Sequence, residues 1–333
     1  MKVLYIGGTG EISRACVEEA DQAGHQVTVF NRGQRQLKLP DGVENIVGDI
    51  TDDTLYSQLA KREFDVICQF LAYDTRQVQR DIDLFSGHCG QYIFISTASV
   101  YEKPCRSHII GEDTPLGNPF WAYSRNKAAC ETLLLQADAA GILSVTIVRP
   151  SHTYRTRLPS TVINGDHLAW RLLQDKPVIV HGDGESLWTL THSSDFASAF
   201  VTLCGMNASL GECVHITNSD SHTWNAILRT NADLLGKQPT IIPVLSRTLV
   251  NYDPAWEGPL LGDKSNSSLF DNSKIRRLTG SWRCLVSLEE GVKCAMAHTN
   301  QRLEAGYEPN LNLDVLIDRI IEEQSARQGS YKP

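Results

Sequence analysis

The stretch VLYIGGTGEIS, residues 3–13, places a glycine-rich turn directly after a short apolar run. The run is typical of a buried strand, and the pattern over residues 12–23 predicts a helix that ends at Gly24. In such a unit the glycines let the backbone approach a pyrophosphate, and the helix N-terminus offers N–H groups to it. We therefore expect four residues of this turn to contact a dinucleotide: Gly7, Gly10, Glu11 and Ile12.

Strand patterns continue to alternate with helical patterns through the first half of the chain. Further strands are indicated at residues 25–30, 65–71, 92–96 and 143–148, with a helix over 119–139. This order predicts an α/β fold, a Rossmann-type doubly wound parallel sheet with a smaller C-terminal substrate lobe. We assign residues 1–150 to the dinucleotide-binding domain, with 191–218 returning to it, and residues 151–190 and 219–330 to the lobe. Substrate is expected in the cleft between them.

The end of the second strand bears on the choice of cofactor. An acidic residue at this position favours NAD, whereas this chain has Asn31 followed by Arg32. A neutral and a basic residue would tolerate a 2′-phosphate, so NADP is favoured over NAD. The alternative is that Arg32 is only a solvated charge on a loop. Residues that follow other strands complete the expected cofactor contacts: Asp49, Ile50, Leu71, Ala72 and Pro150.

Tyr123 and Lys127 lie four residues apart on a predicted helix, which places both side chains on one face. An ammonium beside a phenol favours the phenolate and lowers the pKa of the phenol. Such a pair can exchange a proton with a substrate hydroxyl or carbonyl. Taken alone, however, a pair at this spacing is more typical of a solvated helix face. A strand that ends in the hydroxyl-rich run ISTASVY, residues 95–101, adds candidate polar groups nearby.

Taken in order, these motifs resemble the extended short-chain dehydrogenase/reductase superfamily, the NAD-dependent epimerase/dehydratase family, over about residues 1–220. Arg149-Pro150 and Gly182-Asp183-Gly184 also match its pattern. The resemblance implies a triad in which Thr97 hydrogen-bonds the reacting oxygen, Tyr123 is the general acid/base, and Lys127 also holds the nicotinamide ribose. Nicotinamide accepts or gives the hydride. The resemblance also implies a homodimer that associates through the Tyr123 helix.

The chain departs from the pattern of this superfamily at positions that contact substrate. Ala98-Ser99 stands where sugar 4,6-dehydratases have Asp-Glu, and Trp188 stands where nucleotide-sugar enzymes have a phosphate-binding Arg. An indole cannot replace a guanidinium in phosphate binding, although an arginine in the run YRTR, residues 154–157, is an alternative anionic clamp. The expected substrate contacts are Ser99, His152, Arg155 and Trp188. Residues 254–272 are rich in Gly, Asp, Ser and Asn and predict a loop without a catalytic role.

These features predict an NAD(P)-dependent oxidoreductase or epimerase that acts at a secondary alcohol or ketone of a sugar-like or other polar small molecule. Hydride transfer would be assisted by the Tyr, Lys and Thr side chains. Two alternatives stay open at this point. One is a nucleotide-sugar epimerase with tightly held NAD, and the other is a non-catalytic dinucleotide-binding regulator.

Composition narrows the classes of partner. A formal net charge of −8 argues against a nucleic-acid partner, because phosphate neutralisation needs a basic face. The nine cysteines include no C-x-x-C pair, so no metal site is expected. No signal peptide pattern and no apolar run of about 20 residues is present, which predicts a cytoplasmic protein without a membrane partner.

Overall fold

The computed structural model describes residues 1–34, 38–107 and 109–329. Ser330, the last residue of the predicted C-terminal lobe, lies outside these ranges. The described strands are β1 Lys2–Ile6, β2 Gln26–Asn31, β3 Glu44–Val47, β4 Phe64–Gln69, β5 Cys89–Ile95, β6 Val145–Pro150, β7 His152–Tyr154, β8 Val178–His181, β9 Leu187–Trp188, β10 Leu190–His192, β11 Cys213–Ile216, β12 His222–Thr223 and β13 Ile241–Val244.

Seven of these strands form one parallel sheet in the order β11-β6-β5-β4-β1-β2-β3. The order reverses direction at β1, so the carboxyl ends of β1 and β4 border a crevice of the kind that binds ligands in open α/β sheets. The predicted Rossmann-type doubly wound parallel sheet is confirmed. The other six strands form three two-stranded sheets: β10 with β7, β12 with β9, and β13 with β8.

The described residues also form twelve α-helices. They are α1 Ser13–Gln22, α2 Asp53–Ser57, α3 Thr75–Phe85, α4 Ala122–Ala139, α5 Gly165–Leu173, α6 Ser193–Leu203, α7 Trp224–Asp233, α8 Ser246–Tyr252, α9 Glu257–Pro259, α10 Ser273–Thr279, α11 Leu288–Glu304 and α12 Leu311–Gly329. Single 3₁₀ turns occur at Gln58–Lys61, Ala98–Val100, Asn207–Ser209 and Pro254–Trp256, and a π-helical turn occurs at Leu260–Lys264.

Side chains of the central strands alternate between two apolar layers. Val3 and Tyr5 pack with α1, α6 and α10, whereas Leu4 and Ile6 pack on the opposite face with α2, α3 and α4. Both faces of β1 are therefore buried, which is the condition under which a strand reads as a continuous apolar run. This burial fixes the turn after β1 at the crevice.

The C-terminal part of the chain has an apolar core of its own. This cluster draws on residues 154–190 and 224–320 and includes the fully buried Trp188 and Trp224. Part of the segment 254–272, expected to be a loop, is instead helical. Asp253 accepts a hydrogen bond from the amide of Ala255 and so caps the 3₁₀ turn, and burial of Trp256 and Leu260 holds the turns that follow.

Two kinds of feature are missing from the part of the chain that the structure describes. None of its helices combines the length and the apolar character that a bilayer crossing requires. None of its His, Cys, Asp and Glu side chains cluster in a group that could hold a metal ion.

Candidate active site

A cavity of about 540 Å³ lies at the carboxyl ends of the central strands. Gly8 forms part of its floor, and a side chain there would collide with Val29, because a Cβ would lie 2.5 Å from the Val29 Cγ1 atom. Gly7 has a φ of +100°, which is strained for other residues. Glycine at both positions lets the turn adopt this conformation and pack closely, with its backbone at the wall of the cavity. The predicted cofactor residues that line the cavity are Gly7, Gly10, Glu11, Ile12, Asn31, Arg32, Leu71, Lys127 and Pro150.

The N-terminus of α1 opens onto this cavity. Its N-cap residue, Ile12, provides no capping side chain, so the first-turn N–H groups have no side-chain acceptor there. The carboxylate of Glu11 accepts hydrogen bonds from the amide (2.8 Å) and hydroxyl of Thr156. This arrangement ties the carboxylate to the segment after β7. An anionic pyrophosphate fits a helix terminus of this kind.

Asn31 and Arg32 lie at the end of β2, where the ribose of a dinucleotide is expected. The buried Asn31 side chain accepts a hydrogen bond from the Gly33 amide and donates one to Asn45 Oδ1, both at 2.7 Å. Arg32 is exposed at the mouth of the cavity. The site therefore presents a cation where an NAD-selective protein has an acid.

Three predicted cofactor residues do not line this cavity. Asp49 is half-buried, and its carboxylate accepts two hydrogen bonds from Thr51. Ile50 packs against the apolar layer beneath the sheet. The Ala72 side chain is buried, and only its carbonyl points toward the site, as an acceptor for Lys127. Strand ends locate the edge of the sheet, but the turn after each strand decides which side chains face the cavity.

Tyr123, Lys127 and Glu131 form one stripe on α4, because residues four apart share a helix face. Lys127 is 2 % exposed, and its ammonium donates to the carbonyls of Ala72 and Ile95, each at 2.7 Å. Burial lowers the Lys127 pKa to about 8. The structure therefore places the predicted Tyr123 and Lys127 side chains in the same cavity.

The expected lowering of the Tyr123 pKa is wrong for this structure. Burial raises the Tyr123 pKa to about 12, and the neighbouring Tyr73 and Asp263 raise this pKa further, against a hydrogen bond from Thr97 that lowers it. The Lys127 ammonium is directed at two backbone carbonyls and makes no hydrogen bond to the phenol among the described residues. At neutral pH the phenol is consequently protonated and suited to donate a proton.

Thr97 stands at the end of a short chain of hydroxyl groups. Its Oγ1 atom lies 3.0 Å from Ser99 Oγ, which lies 2.7 Å from the buried Ser124 Oγ. The Thr97 hydroxyl also acts on the Tyr123 phenol, whose pKa it lowers. Nearby, the Oγ atom of Ser96 is buried without a partner among the described residues. The three residues of the predicted triad therefore line one cavity, and further hydroxyl groups lie beside Thr97.

A second cavity of about 330 Å³ adjoins the first and shares Thr97, Tyr123, Pro150 and Ser151 with it. Ser99 and His152, two of the predicted substrate residues, line it. Sequence reasoning missed the other lining residues, which are Ala98, Trp121, Asp263, Lys264, Ser268 and Phe270. No motif indicates Asp263 and Lys264, because the turn that carries them is brought to the site by tertiary packing.

Arg155 and Trp188, also predicted to contact substrate, line neither cavity. Arg155 forms an ion pair with Glu18 of α1 at 2.6 Å. The Trp188 ring is buried, and its Nε1–H donates to His152 Nδ1 at 3.1 Å. Burial and the nearby Lys264 lower the pKa of His152 to about 3, so the imidazole is neutral at pH 7. Trp188 therefore orients His152 instead of touching a substrate.

Comparison with known proteins gives one family and several distant relatives. The model of the NAD dependent epimerase/dehydratase family matches residues 3–216. The 2′-dehydrokanamycin reductase of Streptomyces kanamyceticus is 23% identical over 256 residues, which cover 73% of this chain and 70% of that protein. The chloroplast stem-loop binding protein of 41 kDa b of Arabidopsis thaliana is 28% identical over 261 residues, covering 72% of this chain and 65% of the relative.

A solved structure of similar fold is that of UDP-glucuronic acid 4-epimerase from Bacillus cereus in complex with NAD. It aligns with a TM-score of 0.74 at 20% sequence identity, over 91% of this chain and 98% of that one. At this identity the likeness is evidence for the fold.

Proposed function

Because the chain belongs to the NAD dependent epimerase/dehydratase family, we propose that it is an NAD(P)-dependent oxidoreductase that acts at a secondary alcohol or ketone of a polar small molecule. The membership predicted from the motifs is confirmed, and with it the enzyme class of reductases and epimerases. The observation that carries the proposal is the convergence of Tyr123, Thr97 and Lys127 in one cavity with the glycine-rich turn.

A nicotinamide dinucleotide fits the cavity on three grounds. The glycine floor has no room for a Cβ, the α1 N-terminus has no side-chain cap, and Ser96 Oγ is buried without a partner among the described residues. Gly7, Gly10 and Ile12 would hold the pyrophosphate, and Lys127 the nicotinamide ribose. When bound, the group accepts or supplies a hydride.

The chain's own residues handle the proton. Tyr123 donates its phenolic proton to a substrate carbonyl oxygen, and Thr97 hydrogen-bonds the same oxygen. The charge left on the phenolate is stabilised by the nearby ammonium of Lys127. With a pKa of about 12, Tyr123 is protonated at neutral pH, which is the form that reduction of a carbonyl requires.

The pH dependence of reduction should follow Lys127. Its pKa of about 8 means that the ammonium loses its charge as the pH rises through 8. We expect kcat/KM for reduction to be level below pH 8 and to fall above it, because a neutral amine no longer stabilises the phenolate. Steady-state rates between pH 6 and 10 at saturating dinucleotide measure this. A Lys127→Arg variant should move the fall to higher pH, and a wild-type profile that stays level to pH 10 would contradict the assignment.

We propose that NADP is preferred over NAD. Support comes from the neutral Asn31 and the exposed Arg32 at the cavity mouth, where a guanidinium pairs well with a 2′-phosphate. Replacing Arg32 with alanine should weaken NADP(H) binding about tenfold, the value of one charge-assisted contact, and leave NAD(H) binding unchanged. Fluorescence titrations of the wild type and the Arg32→Ala variant with NADH and NADPH measure the effect. Failure to bind either dinucleotide would refute the oxidoreductase proposal as a whole, and tighter NADH binding by the wild type would refute the preference alone.

A second candidate function is suggested by the similarity to the Arabidopsis stem-loop binding protein. A binding protein of that kind has no need of an acid/base pair, yet Tyr123 and Lys127 lie together at the cavity. The formal net charge of −8 also opposes binding to an RNA backbone. A biological activity that survives removal of the Tyr123 hydroxyl would favour this candidate.

A further inference from the structure

Asp263 and Lys264 place two opposite charges in the cavity beside Tyr123. Both lie on the π-helical turn Leu260–Lys264 and line the cavity of about 330 Å³. Among the described residues, neither side chain has a hydrogen-bond or ion-pair partner. Both charged groups are therefore free to contact a ligand. Turns of this π type occur frequently at functional sites.

The backbone of this turn is fixed by polar side chains from other parts of the fold. Asn118 Nδ2 donates to the carbonyl of Gly262 at 2.6 Å. The Lys264 carbonyl accepts from Ser186 Oγ at 3.1 Å and lies 2.9 Å from His181 Nε2. These contacts engage backbone carbonyls only, so they hold the turn without using the side chains of Asp263 and Lys264.

One carboxyl group and one amine line this cavity. Among its described lining residues they are those of Asp263 and Lys264, and His152 is neutral at pH 7 because its pKa is lowered to about 3. Burial raises the pKa of Asp263, and the positive charges of Lys103 and Lys264 oppose that rise. Burial likewise lowers the pKa of Lys264, against Asp263. No arginine is among the described lining residues.

We propose that Asp263 and Lys264 select an unphosphorylated polyhydroxylated substrate, such as a free sugar, glycoside or cyclitol, and exclude nucleotide diphosphate sugars. The proposal rests on the function proposed above, since it concerns the molecule that Tyr123 protonates. A polyol offers hydroxyl donors to the Asp263 carboxylate and hydroxyl acceptors to the Lys264 ammonium. A diphosphate offers acceptors alone and would set its negative charge against Asp263.

The proposed repulsion between the Asp263 carboxylate and a diphosphate can be measured without knowing the natural substrate. The protein is first saturated with the dinucleotide that it binds more tightly, so that UDP-glucose meets only the second cavity. Calorimetric titration should show weak UDP-glucose binding to the wild type and binding about tenfold tighter to Asp263→Asn, which removes one opposing charge. Lys264→Met, which removes the attracting charge, should show no gain. Asp233→Asn removes a carboxylate from an exposed position of α7 and should behave as the wild type.

Each result decides the question. Equal UDP-glucose affinity in the wild type and Asp263→Asn, whether tight or weak, would overturn the proposal, because Asp263 would then play no part in selection. A gain shared by Asp233→Asn would overturn it as well, since net charge alone would be responsible. If the protein binds no dinucleotide, the oxidoreductase proposal is refuted before the titration with UDP-glucose begins. Failure of the proposed function can therefore be distinguished from failure of the proposed selection by Asp263 and Lys264.

Discussion

Replacing Tyr123 with phenylalanine should lower kcat about a thousandfold, within the range that a positioned general acid contributes. The phenol lines the same cavity as Thr97, whose hydroxyl group lowers the Tyr123 pKa. Its ring also packs between Trp121 and Tyr73, at centroid distances of 5.1 and 6.3 Å. Phenylalanine keeps those ring contacts, so dinucleotide affinity and stability should be unchanged. Single-turnover hydride transfer, followed by the absorbance of the reduced nicotinamide, measures the loss.

Tyr73 provides a matched control for the loss of a hydroxyl. It lines the same cavity as Tyr123, and its ring faces the Lys127 ammonium at 4.9 Å. The Tyr73→Phe variant removes an identical group from the same cavity and keeps the ring. We expect its hydride-transfer rate to remain within a small factor of the wild-type rate. If the two variants lost activity equally, the proton would come from another group, and the assignment of Tyr123 would be wrong.

The sequence predicted those parts of the fold that depend on local patterns. The apolar run of β1 is buried on both faces of the sheet, and α1 begins at Ser13 and ends at Gln22, close to the predicted helix over 12–23. The predicted helix over 119–139 is α4 from Ala122 to Ala139. Periodicity and glycine positions carry this information within one segment, so no knowledge of tertiary contacts is needed.

The substrate side of the site could not be predicted in the same way. Asp263 and Lys264 lie in a segment whose Gly, Asp and Ser content is typical of a loop, and its turns are held by burial of Trp256 and Leu260. Arg155 was expected to contact substrate as a replacement for the missing phosphate-binding arginine, yet it pairs with Glu18 on α1. Pairings between segments so distant in sequence leave no local pattern. The prediction of a lowered Tyr123 pKa is wrong for a related reason. The spacing indicates that Tyr123 and Lys127 share a helix face, but it does not reveal the backbone carbonyls to which the Lys127 ammonium donates.

Replacing Glu131 with alanine should destabilise the protein by about 3–5 kcal/mol, the usual result when one partner of a buried ion pair is removed. Glu131 is fully buried and Arg149 is 3 % exposed, and their carboxylate and guanidinium are joined by hydrogen bonds of 2.6, 3.0 and 3.2 Å. Loss of the carboxylate leaves the guanidinium charged and buried, with only the Tyr101 hydroxyl and the Glu112 carbonyl as hydrogen-bond partners among the described residues. Urea-induced unfolding monitored by circular dichroism measures the change in free energy.

Two comparisons separate this cost from the cost of a smaller side chain or a surface charge. Glu44 pairs with Arg62 at 2.6 Å on the surface, and Glu44→Ala should cost less than about 1 kcal/mol. The double variant Glu131→Leu with Arg149→Met should recover most of the stability, because apolar residues can replace a buried pair.

The pair also joins α4 to the end of β6, and so aligns the helix stripe of Tyr123 and Lys127 with Pro150 at the cavity. If the pair also positions that stripe, the double variant will be stable yet reduced in kcat with an unchanged dinucleotide affinity. A stable double variant with wild-type kcat would show that the Glu131 pair contributes to folding alone, and that the packing of α4 is sufficient to place the acid.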